Sequence, residues 1–289
     1  MCQLLGMNCN IPTDITFSFK GFRYRGGKTD RHKDGFGVAF FEEKGLRLYK
    51  DDCPSSISPV AKLIEEYPIK SHNIVAHIRK ASDGGVNIAN THPFSRELWG
   101  EAWVFAHNGH IPAAHKLLGR CKVDYYTPIG TTDSEAIFCY LLNSLRAKFP
   151  KKPDPVTLLE AVAALVESVR SEEICNFLLS NGEWQMAHAN TLLHYLIRKP
   201  PFGKATLIDE DFSIDFAALK KEEERMAVIA TLPITCDEKW HQFAVNEFIL
   251  FHKGEIVARR RPENPRYLTL EEGLNIGIKA GVVALPEEA

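Results

Sequence analysis

Cys2 is the residue of this chain whose position could make it a catalyst. Removal of Met1, which requires a small side chain in second position, would leave a thiol and a free α-amino group on one residue. The amine could then act as the base for its own thiol. The simpler interpretation is a small buried side chain at the start of a strand-like run, residues 2–7. Cys2 alone does not decide between a nucleophile and a core residue.

Arg79 ends an apolar strand-like run, residues 74–78. A guanidinium forks onto a carboxylate through paired charge-assisted hydrogen bonds, so Arg79 is suited to bind the carboxylate of an amino acid. An ordinary surface ion pair is the alternative. The arginine on its own does not distinguish them.

Asn108 and Gly109 follow a second apolar run, residues 103–107. Asn-Gly is most often the turn of a β-hairpin. Here the next residues, 111–118, have helical spacing and not the pattern of a returning strand. An asparagine amide and the following backbone N–H can instead form an oxyanion hole. The spacing favours this second interpretation.

Asp133 lies at the start of the strongest predicted helix, residues 132–149, where Thr132 and Glu135 have the spacing of a capping box. An acid in the first turn is favoured by the helix dipole whatever its function. Its carboxylate could also hold a substrate ammonium group. Both interpretations fit the position.

Three histidines, His77, His92 and His107, could serve as a base in a conventional cysteine-histidine hydrolase. That alternative does not explain why the cysteine stands in second position. His92 precedes a proline in a predicted turn, which favours a structural role. The glycine-rich stretches at 25–27 and 33–37 lack the spacing of a phosphate loop and could form turns or a closing loop.

Composition excludes several classes of function. The chain has 289 residues, 45% of them hydrophobic, and a formal net charge of −2, so it has no basic field for nucleic acid or membrane. Its seven cysteines are scattered without zinc spacing, which favours reduced thiols in the cytoplasm and no metal. No apolar run approaches the roughly 20 residues of a membrane span.

The order of predicted elements indicates the fold class. Short strands fill the first half, two helices follow at 132–149 and 156–169, and strands return after them, with a hairpin turn at Asn181-Gly182. An early helix is also predicted at 58–67. Sheet, helices and sheet without regular alternation predict an α+β fold, a four-layer αββα sandwich of two mainly antiparallel sheets between helical layers.

Each motif alone is ambiguous, but the whole set in this order is specific for one protein family. The set resembles the class II glutamine amidotransferases, whose glutaminase domains are N-terminal-nucleophile hydrolases, and within them the stand-alone bacterial YafJ-like branch. It consists of Cys2, Ala-His-Ile-Arg at 76–79, Asn-Thr-His-Pro-Phe at 90–94, His-Asn-Gly at 107–109 and Thr-Asp-Ser-Glu at 132–135, with Lys-Asp-Gly-Phe-Gly at 33–37 and Ala-Thr-Leu-Pro at 230–233.

The resemblance implies a role for each motif. Cys2 is the nucleophile, Asn108 and Gly109 form the oxyanion hole, and Arg79 and Asp133 hold the carboxylate and amino groups of glutamine. Ser82 stands where the family often has a hydroxyl near that carboxylate. Synthase-fused members commonly carry tryptophan and histidine where this chain has Lys80 and Asp83.

The resemblance implies no metal or organic cofactor. It covers residues 2–257, a glutaminase domain, and leaves 258–289 as a C-terminal extension. The expected reaction hydrolyses the side-chain amide of glutamine through a γ-glutamyl thioester on Cys2.

The sequence leaves the fate of the nitrogen open. The protein could supply ammonia to a separate synthase subunit, or it could be a free-standing hydrolase of a γ-glutamyl amide. A non-catalytic module that binds glutamine ranks lower, because the nucleophile, the oxyanion donors and both anchors are all present. A homodimer also remains open.

Overall fold

The computed structural model describes residues 2–81, 84–122, 124–169 and 174–281. Its fifteen strands are β1 (Gln3–Thr13), β2 (Phe36–Glu42), β3 (Gly45–Asp51), β4 (Ser71–Ile78), β5 (Phe94–Leu98), β6 (Glu101–His110), β7 (Ile174–Ser180), β8 (Trp184–Ala189), β9 (His194–Arg198), β10 (Lys204–Thr206), β11 (Ser213–Asp215), β12 (Met226–Ala230), β13 (His241–Gln242), β14 (Glu247–His252) and β15 (Glu255–Arg260).

The strands form two large antiparallel sheets and a two-stranded ribbon of β10 and β11. The seven-stranded sheet has the order β13-β9-β12-β1-β4-β2-β3, and the six-stranded sheet has the order β15-β14-β8-β7-β6-β5. Strand β1 therefore lies in the middle of its sheet, between β12 and β4. Residues at its N-terminal end are fixed from both sides.

Helices cover the outer faces of the two sheets. The described helices are α1 (Thr16–Tyr24), α2 (Pro59–Glu66), α3 (Ala114–Leu118), α4 (Asp133–Lys148), α5 (Pro155–Val169) and α6 (Leu270–Lys279). Of these, α6 is not part of the clusters on the sheet faces, because its Ile276 packs with Leu192 and Leu268. One buried cluster joins α1 and α2 to the seven-stranded sheet, and another joins α4 and α5 to the six-stranded sheet.

A third apolar cluster lies between the sheets. It includes Leu4 and Val75 from the seven-stranded sheet and Val104, Leu178 and Ile249 from the six-stranded sheet. Alternating strand residues point to opposite faces, so each sheet supplies one face to this inner core and the other face to its helices. The predicted αββα sandwich is confirmed.

Local signals set the ends of two predicted helices. Ser58 Oγ accepts hydrogen bonds from the first-turn N–H groups of α2, and Thr132 Oγ1 accepts one from Glu135 N at 3.2 Å at the start of α4. The capping box predicted there is only half formed. The Glu135 carboxylate instead accepts from Gly130 N at 2.7 Å and pairs with Arg96 at 2.5 Å.

Other elements differ from the sequence prediction. Helix α1 was not predicted, although Phe17, Phe19 and Phe22 bury one of its faces. The strand expected at 191–196 begins only at His194, because the N–H of Thr191 donates to Asn176 Oδ1 at 3.0 Å. The tail contains β15 and helix α6, which starts at a complete Thr269–Glu272 capping box. The division between a glutaminase domain and an extension after residue 257 stays a prediction.

Among the helices that the structure describes, none is long and apolar enough to cross a membrane. All seven cysteines fall within the described residues, and each is a free thiol.

Candidate active site

Cys2 directly precedes β1, and its position is set by the strands on both sides. Gln3 pairs with Ile78 of β4. On the other side, Leu4 N donates to Thr231 Oγ1 at 2.9 Å, and Thr231 N donates to Leu4 O at 3.1 Å. The segment after β12 thus extends the pairing of β1 up to the residues beside the thiol.

Arg25 strengthens this junction. Its guanidinium donates to Leu232 O at 3.0 Å, Pro233 O at 2.5 Å and Gln3 Oε1 at 3.3 Å. Its Nε pairs with Asp209 at 2.8 Å. One buried arginine therefore ties the start of β1 to the Ala-Thr-Leu-Pro segment, a link that the sequence does not reveal.

The Cys2 thiol contacts the main chain just beyond β4. Lys80 N lies 3.2 Å from Sγ and Lys80 O lies 3.3 Å from it. The N–H donates to sulfur and the carbonyl can accept the thiol proton. Both contacts are made by the backbone, so they do not depend on which side chain stands at residue 80.

Asp34 holds the backbone that contacts the thiol. Its carboxylate accepts from Ala81 N at 2.7 Å, and its own N–H donates to Arg79 O at 3.2 Å. Arg79 N in turn donates to Gly35 O at 2.8 Å. Gly35 has φ +105°, a conformation that favours glycine, and a Cβ there would lie 2.8 Å from Asp51 O. This stretch is packed in place and is not a free loop.

Asn108 lies on β6 of the other sheet and reaches Cys2. Its side-chain Nδ2 donates to Cys2 O at 2.6 Å, and its backbone carbonyl accepts a hydrogen bond from Asn176 Nδ2 at 3.1 Å. An amide nitrogen carries two hydrogens, so the second remains able to donate. The side chain is 1% exposed. The structure therefore brings the predicted nucleophile and the predicted oxyanion donor together.

The N–H of Gly109 points away from the side-chain amide of Asn176. The carbonyl of Asn108 faces Asn176 on β7, and a trans peptide directs the next N–H the opposite way. On that side the pairing of β6 with β5 has ended at Phe105. A Cβ at residue 109 would overlap Ile174 O, so only glycine fits. The Asn-Gly pair lies within β6, which extends to His110, and does not form a hairpin turn.

Arg79 lies directly before Lys80 and is 3% exposed. Its guanidinium donates to Gly85 O at 3.1 Å and to Gly84 O at 3.2 Å. The two carbonyls thus take hydrogens that a carboxylate would need. Ser82, the predicted hydroxyl near the carboxylate, lies outside the described residues, as do Asp83 and Met1.

Asp133 is 5% exposed at the start of α4 and faces the end of β6. One carboxylate oxygen accepts from Ile111 N at 2.6 Å and lies 3.5 Å from His110 Nδ1. The other accepts from Ser134 Oγ at 3.2 Å, and Ser134 Oγ lies 2.9 Å from His107 Nδ1. Asp133 is therefore joined to the strand that carries Asn108.

Three buried histidines lie behind these residues. The rings of His77 and His92 are 4.2 Å apart, and His107 follows on β6. Burial lowers the pKa of His77 and of His92 well below the ordinary value, and the positive charge of Arg79 lowers both further. Burial also lowers the pKa of His107, although the Asp133 carboxylate opposes this. All three are neutral near pH 7.

The surroundings of the Cys2 thiol disfavour its ionisation. Burial raises the pKa of the Cys2 thiol, and the nearby Asp34 charge raises it further. The hydrogen bond from Lys80 N–H and the charge of Arg79 act in the opposite direction but do not prevail. Among the described residues, the hydrogen-bond partners of Sγ are the backbone groups of Lys80, and no histidine is one of them. A base is therefore required at neutral pH.

Sequence reasoning missed the residues that hold the site together. Asp34, Arg25 and Thr231 lie within motifs that the sequence analysis singled out, but their partners are distant along the chain. Asn176, which holds the carbonyl of Asn108, gave no sequence signal because it lies inside an apolar strand run.

In the described parts of the chain, three side chains with metal-binding atoms lie close enough together to share one ion at a single place. These are Asp51, Asp52 and Cys53 after β3, and the last two are exposed. None of them is a predicted site residue, and exposed acidic groups often lie together without a metal.

Comparisons with known proteins identify the family of the chain. The family model described as glutamine amidotransferases class-II matches residues 1–272. Two curated bacterial proteins carry the name "Putative glutamine amidotransferase". The one from Haemophilus influenzae is 51% identical over 258 residues, 89% of this chain and 86% of the relative. The one from Escherichia coli, called YafJ, is 46% identical over 258 residues, 89% of this chain and all of the relative.

Solved structures extend the comparison. A crystal structure of a predicted glutamine amidotransferase from Pseudomonas aeruginosa superposes with a TM-score of 0.70 at 37% identity and covers 89% of this chain and 100% of that one. The glutamine phosphoribosylpyrophosphate amidotransferase of B. subtilis has a TM-score of 0.58 at 14% identity, over 91% of this chain and 50% of that one. This second likeness concerns the fold alone. The chain belongs to the class II glutamine amidotransferases.

Proposed function

We propose that this protein hydrolyses the side-chain amide of glutamine or of a γ-glutamyl amide, through a γ-glutamyl thioester on Cys2. The observation that supports this most directly is the convergence on one residue of two elements from different sheets. Lys80 N lies 3.2 Å from the Cys2 thiol, and Asn108 Nδ2 lies 2.6 Å from its carbonyl oxygen. Fixed donors thus surround a cysteine that loss of Met1 would make N-terminal.

The α-amino group of Cys2 is the base in this proposal. Its ordinary pKa of roughly 7.7–8.0 leaves a large unprotonated fraction near neutral pH. The amine takes the thiol proton, and the thiolate attacks the amide carbon of the γ-glutamyl group. The histidines are less suitable, because they are buried and none contacts Sγ in the described residues. Their lowered pKa values make them weak bases.

The tetrahedral intermediate needs donors for its oxyanion. The second hydrogen of Asn108 Nδ2 and the N–H of Gly109 fill this role, because the first is held beside Cys2 and the second points away from the side-chain amide of Asn176. The bond to nitrogen then breaks, and the protonated α-amine gives its proton to the departing ammonia or amine. Water attacks the thioester, returns the thiol and releases glutamate.

Arg79 and Asp133 bind the two charged groups of the substrate in this proposal, with Ser82 near the carboxylate. The carboxylate would replace Gly84 O and Gly85 O on the guanidinium. A bidentate pair of hydrogen bonds between a guanidinium and a carboxylate is stronger than the hydrogen bonds to neutral carbonyl groups that it replaces. The carbonyl groups of Gly84 and Gly85 therefore move off the guanidinium when glutamine binds. The Asp133 carboxylate takes the ammonium group beside Ile111.

The acceptor of the nitrogen is the second part of the proposal. Glutamine and γ-glutamyl amides share the γ-glutamyl group that these residues contact. The two candidate enzymes, one that supplies ammonia and one that hydrolyses γ-glutamyl conjugates, therefore differ only in the amine that leaves. A synthase subunit that receives ammonia, or a second copy of this chain, would bind outside the γ-glutamyl pocket. We place the protein in the cytoplasm, where a reducing environment keeps its seven cysteines as free thiols.

Steady-state release of ammonia from glutamine, compared with release of amines from a panel of γ-glutamyl amides, tests the proposal. Cys2→Ala should abolish turnover of every substrate while its thermal unfolding stays close to that of the parent. Cys53→Ala, which removes an exposed thiol, is the matched control and should retain full activity. Continued ammonia release by Cys2→Ala would overturn it, and so would a processed parent protein that binds glutamine but turns over neither glutamine nor any γ-glutamyl amide of the panel.

A further inference from the structure

A cavity of about 480 Å³ lies at the end of β1 opposite to Cys2. It is lined by Thr13 of β1, Phe17 and Ser18 of α1, and Arg198 at the end of β9, among others. Strands rise about 3.3 Å per residue, so the length of β1 separates Thr13 from Cys2 by on the order of 30 Å. The volume falls in the usual range for small-molecule sites, about 300–1,000 Å³. This cavity is not part of the glutamine site.

The charges around the cavity do not balance. Four basic and two acidic side chains line it, namely Lys70, Arg198, Lys220 and Lys221, with Asp14 and Glu224. Lys220 pairs with Glu224 at 3.0 Å, and Arg198 pairs at 2.6 Å with Glu238, which lies outside the cavity. Within the described residues, Lys70 and Lys221 have no acidic partner. Asp14 forms no ion pair in the described parts of the chain either and offsets one of these two lysines, so the cavity keeps one positive charge in excess.

Further donors come from the first turn of α1. Helix N-termini expose N–H groups without intrahelical acceptors, and the N-cap residue Ile15 offers no side-chain acceptor. Asp14 accepts only from Thr16 in this turn. Ser18 lines the cavity and is 6% exposed, yet its hydroxyl makes no hydrogen bond to the described residues. The hydroxyl oxygen keeps access to the cavity, so Ser18 can donate a hydrogen bond to a molecule bound there.

Part of the lining is apolar and aromatic. The rings of Phe17 and Phe216 meet edge to face at 5.4 Å, and the Arg198 guanidinium lies over Phe216 at 4.6 Å. Met7 and Met226 contribute adaptable sulfur-containing side chains to the same lining. A small inorganic anion would satisfy the lysines but would leave these surfaces uncovered. The lining fits a molecule with an anionic group and an apolar body.

We propose that this cavity is a second binding site, for a small organic anion in which a carboxylate or phosphate group is attached to a flat apolar body. The anionic group interacts with Lys70, Lys221 and the first turn of α1, where Ser18 donates a hydrogen bond. The apolar body packs against Phe17 and Phe216. This site needs neither Cys2 nor glutamine, so it stands or falls independently of the proposed function.

Fluorescence titration of the full chain with anilinonaphthalene sulfonate, an apolar aromatic anion, tests the proposal. The dye should bind saturably at one site per chain and equally well to Cys2→Ala. Lys70→Ala/Lys221→Ala should weaken binding by at least about tenfold, because charge-assisted contacts are lost. The matched double variant Lys62→Ala/Lys122→Ala removes two exposed lysines outside the cavity lining and should bind like the parent.

Competition identifies the anionic group. Displacement of the dye by adenosine monophosphate indicates a phosphate ligand, and displacement by naphthoate indicates a carboxylate ligand. Adenosine, which is uncharged, should not displace the dye. Ser18→Leu, which fills the cavity, should also reduce dye binding while glutamine turnover continues. The proposal is overturned if the cavity double variant binds the dye like the control double variant, if binding is not saturable, or if neither anion competes.

Discussion

The two ends of β1 are built from different kinds of groups. At the Cys2 end, the thiol and its carbonyl contact the backbone of Lys80 and the neutral amide of Asn108, with neutral histidines behind them. At the Thr13 end, Lys220 donates to Thr13 Oγ1 at 2.7 Å and pairs with Glu224. The groups that contact Cys2 directly are uncharged and mainly backbone, whereas those that contact Thr13 are charged and belong to long side chains.

The difference reflects what each end has to do. Attack on an amide needs atoms held within a fraction of an ångström, and a sheet provides such positions through its backbone. Binding an anion needs charge, which flexible lysines supply at little cost when their stems lie at the surface. The first end should therefore respond to changes in position and the second to changes in charge.

Blocking the N-terminus should have the largest effect. A lysine inserted between Met1 and Cys2 would prevent methionine removal and leave the amine in a peptide bond, so ammonia release should fall by more than about 10³-fold. Intact mass would verify the N-terminus. The extended protein should still bind the dye at the far end of β1. Activity above a tenth of the parent would show that another group is the base.

Removing the predicted oxyanion donor should come next. Asn108→Ala should lower kcat by about 100-fold to 1,000-fold with a smaller change in KM, because its bond strengthens only as the oxyanion forms. Steady-state kinetics with glutamine would measure both. Asn10→Ala, the same change near the other end of β1, should leave kcat unchanged. A loss confined to KM would contradict the assignment.

Asp34 should act as a positioning residue with a moderate effect. Asp34→Ala removes the acceptor for Ala81 N and should lower kcat roughly tenfold. Asp34→Asn keeps an acceptor oxygen and should restore part of the rate. Both remove a charge that raises the pKa of the Cys2 thiol, so the thiol should be alkylated at lower pH. Parent-like kcat in Asp34→Ala, with an unchanged alkylation profile, would exclude this role.

The dependence of folding stability on pH should also differ between the two ends of β1. Burial lowers the pKa of His77, His92 and His107 in the folded state, so below about pH 6.5 the unfolded chain binds more protons. Stability should be fully present above that pH and fall as pH decreases, by up to about 1.4 kcal/mol per pH unit for each histidine.

Urea unfolding between pH 5 and 8 would measure this slope, and His92→Gln should reduce it. Glu224→Gln at the charged end is the control. Although burial acts to raise it, the hydrogen bond from Lys220 holds the pKa of Glu224 below its ordinary value, so this variant should not change the slope above pH 5. An unaltered slope in His92→Gln would show that another group takes up the protons.

Much of the fold could be predicted from local patterns. Helix α4 follows from its helical spacing and Thr132, and the β7–β8 hairpin follows from Asn181-Gly182. Helix α1 could not be predicted with the same ease, because it has no N-capping side chain and its apolar face is short. Glu135 shows the limit of such rules, since Arg96, 39 residues away, takes the side chain from the cap.

The amino-acid sequence by itself determined which chemical groups are available: a cysteine in second position, an Asn-Gly pair, an arginine and an aspartate in family order. Only the tertiary structure decided what holds them. Cys2 meets a backbone 78 residues away and an amide 106 residues away, and Leu4 bonds to Thr231 across 227 residues. Such contacts depend on how two sheets stack and in which register β1 pairs, which no short stretch of sequence encodes. The charged cavity at the other end of β1 also exists only because four separate parts of the chain, residues 7–18, 70, 198 and 214–226, fold against one another.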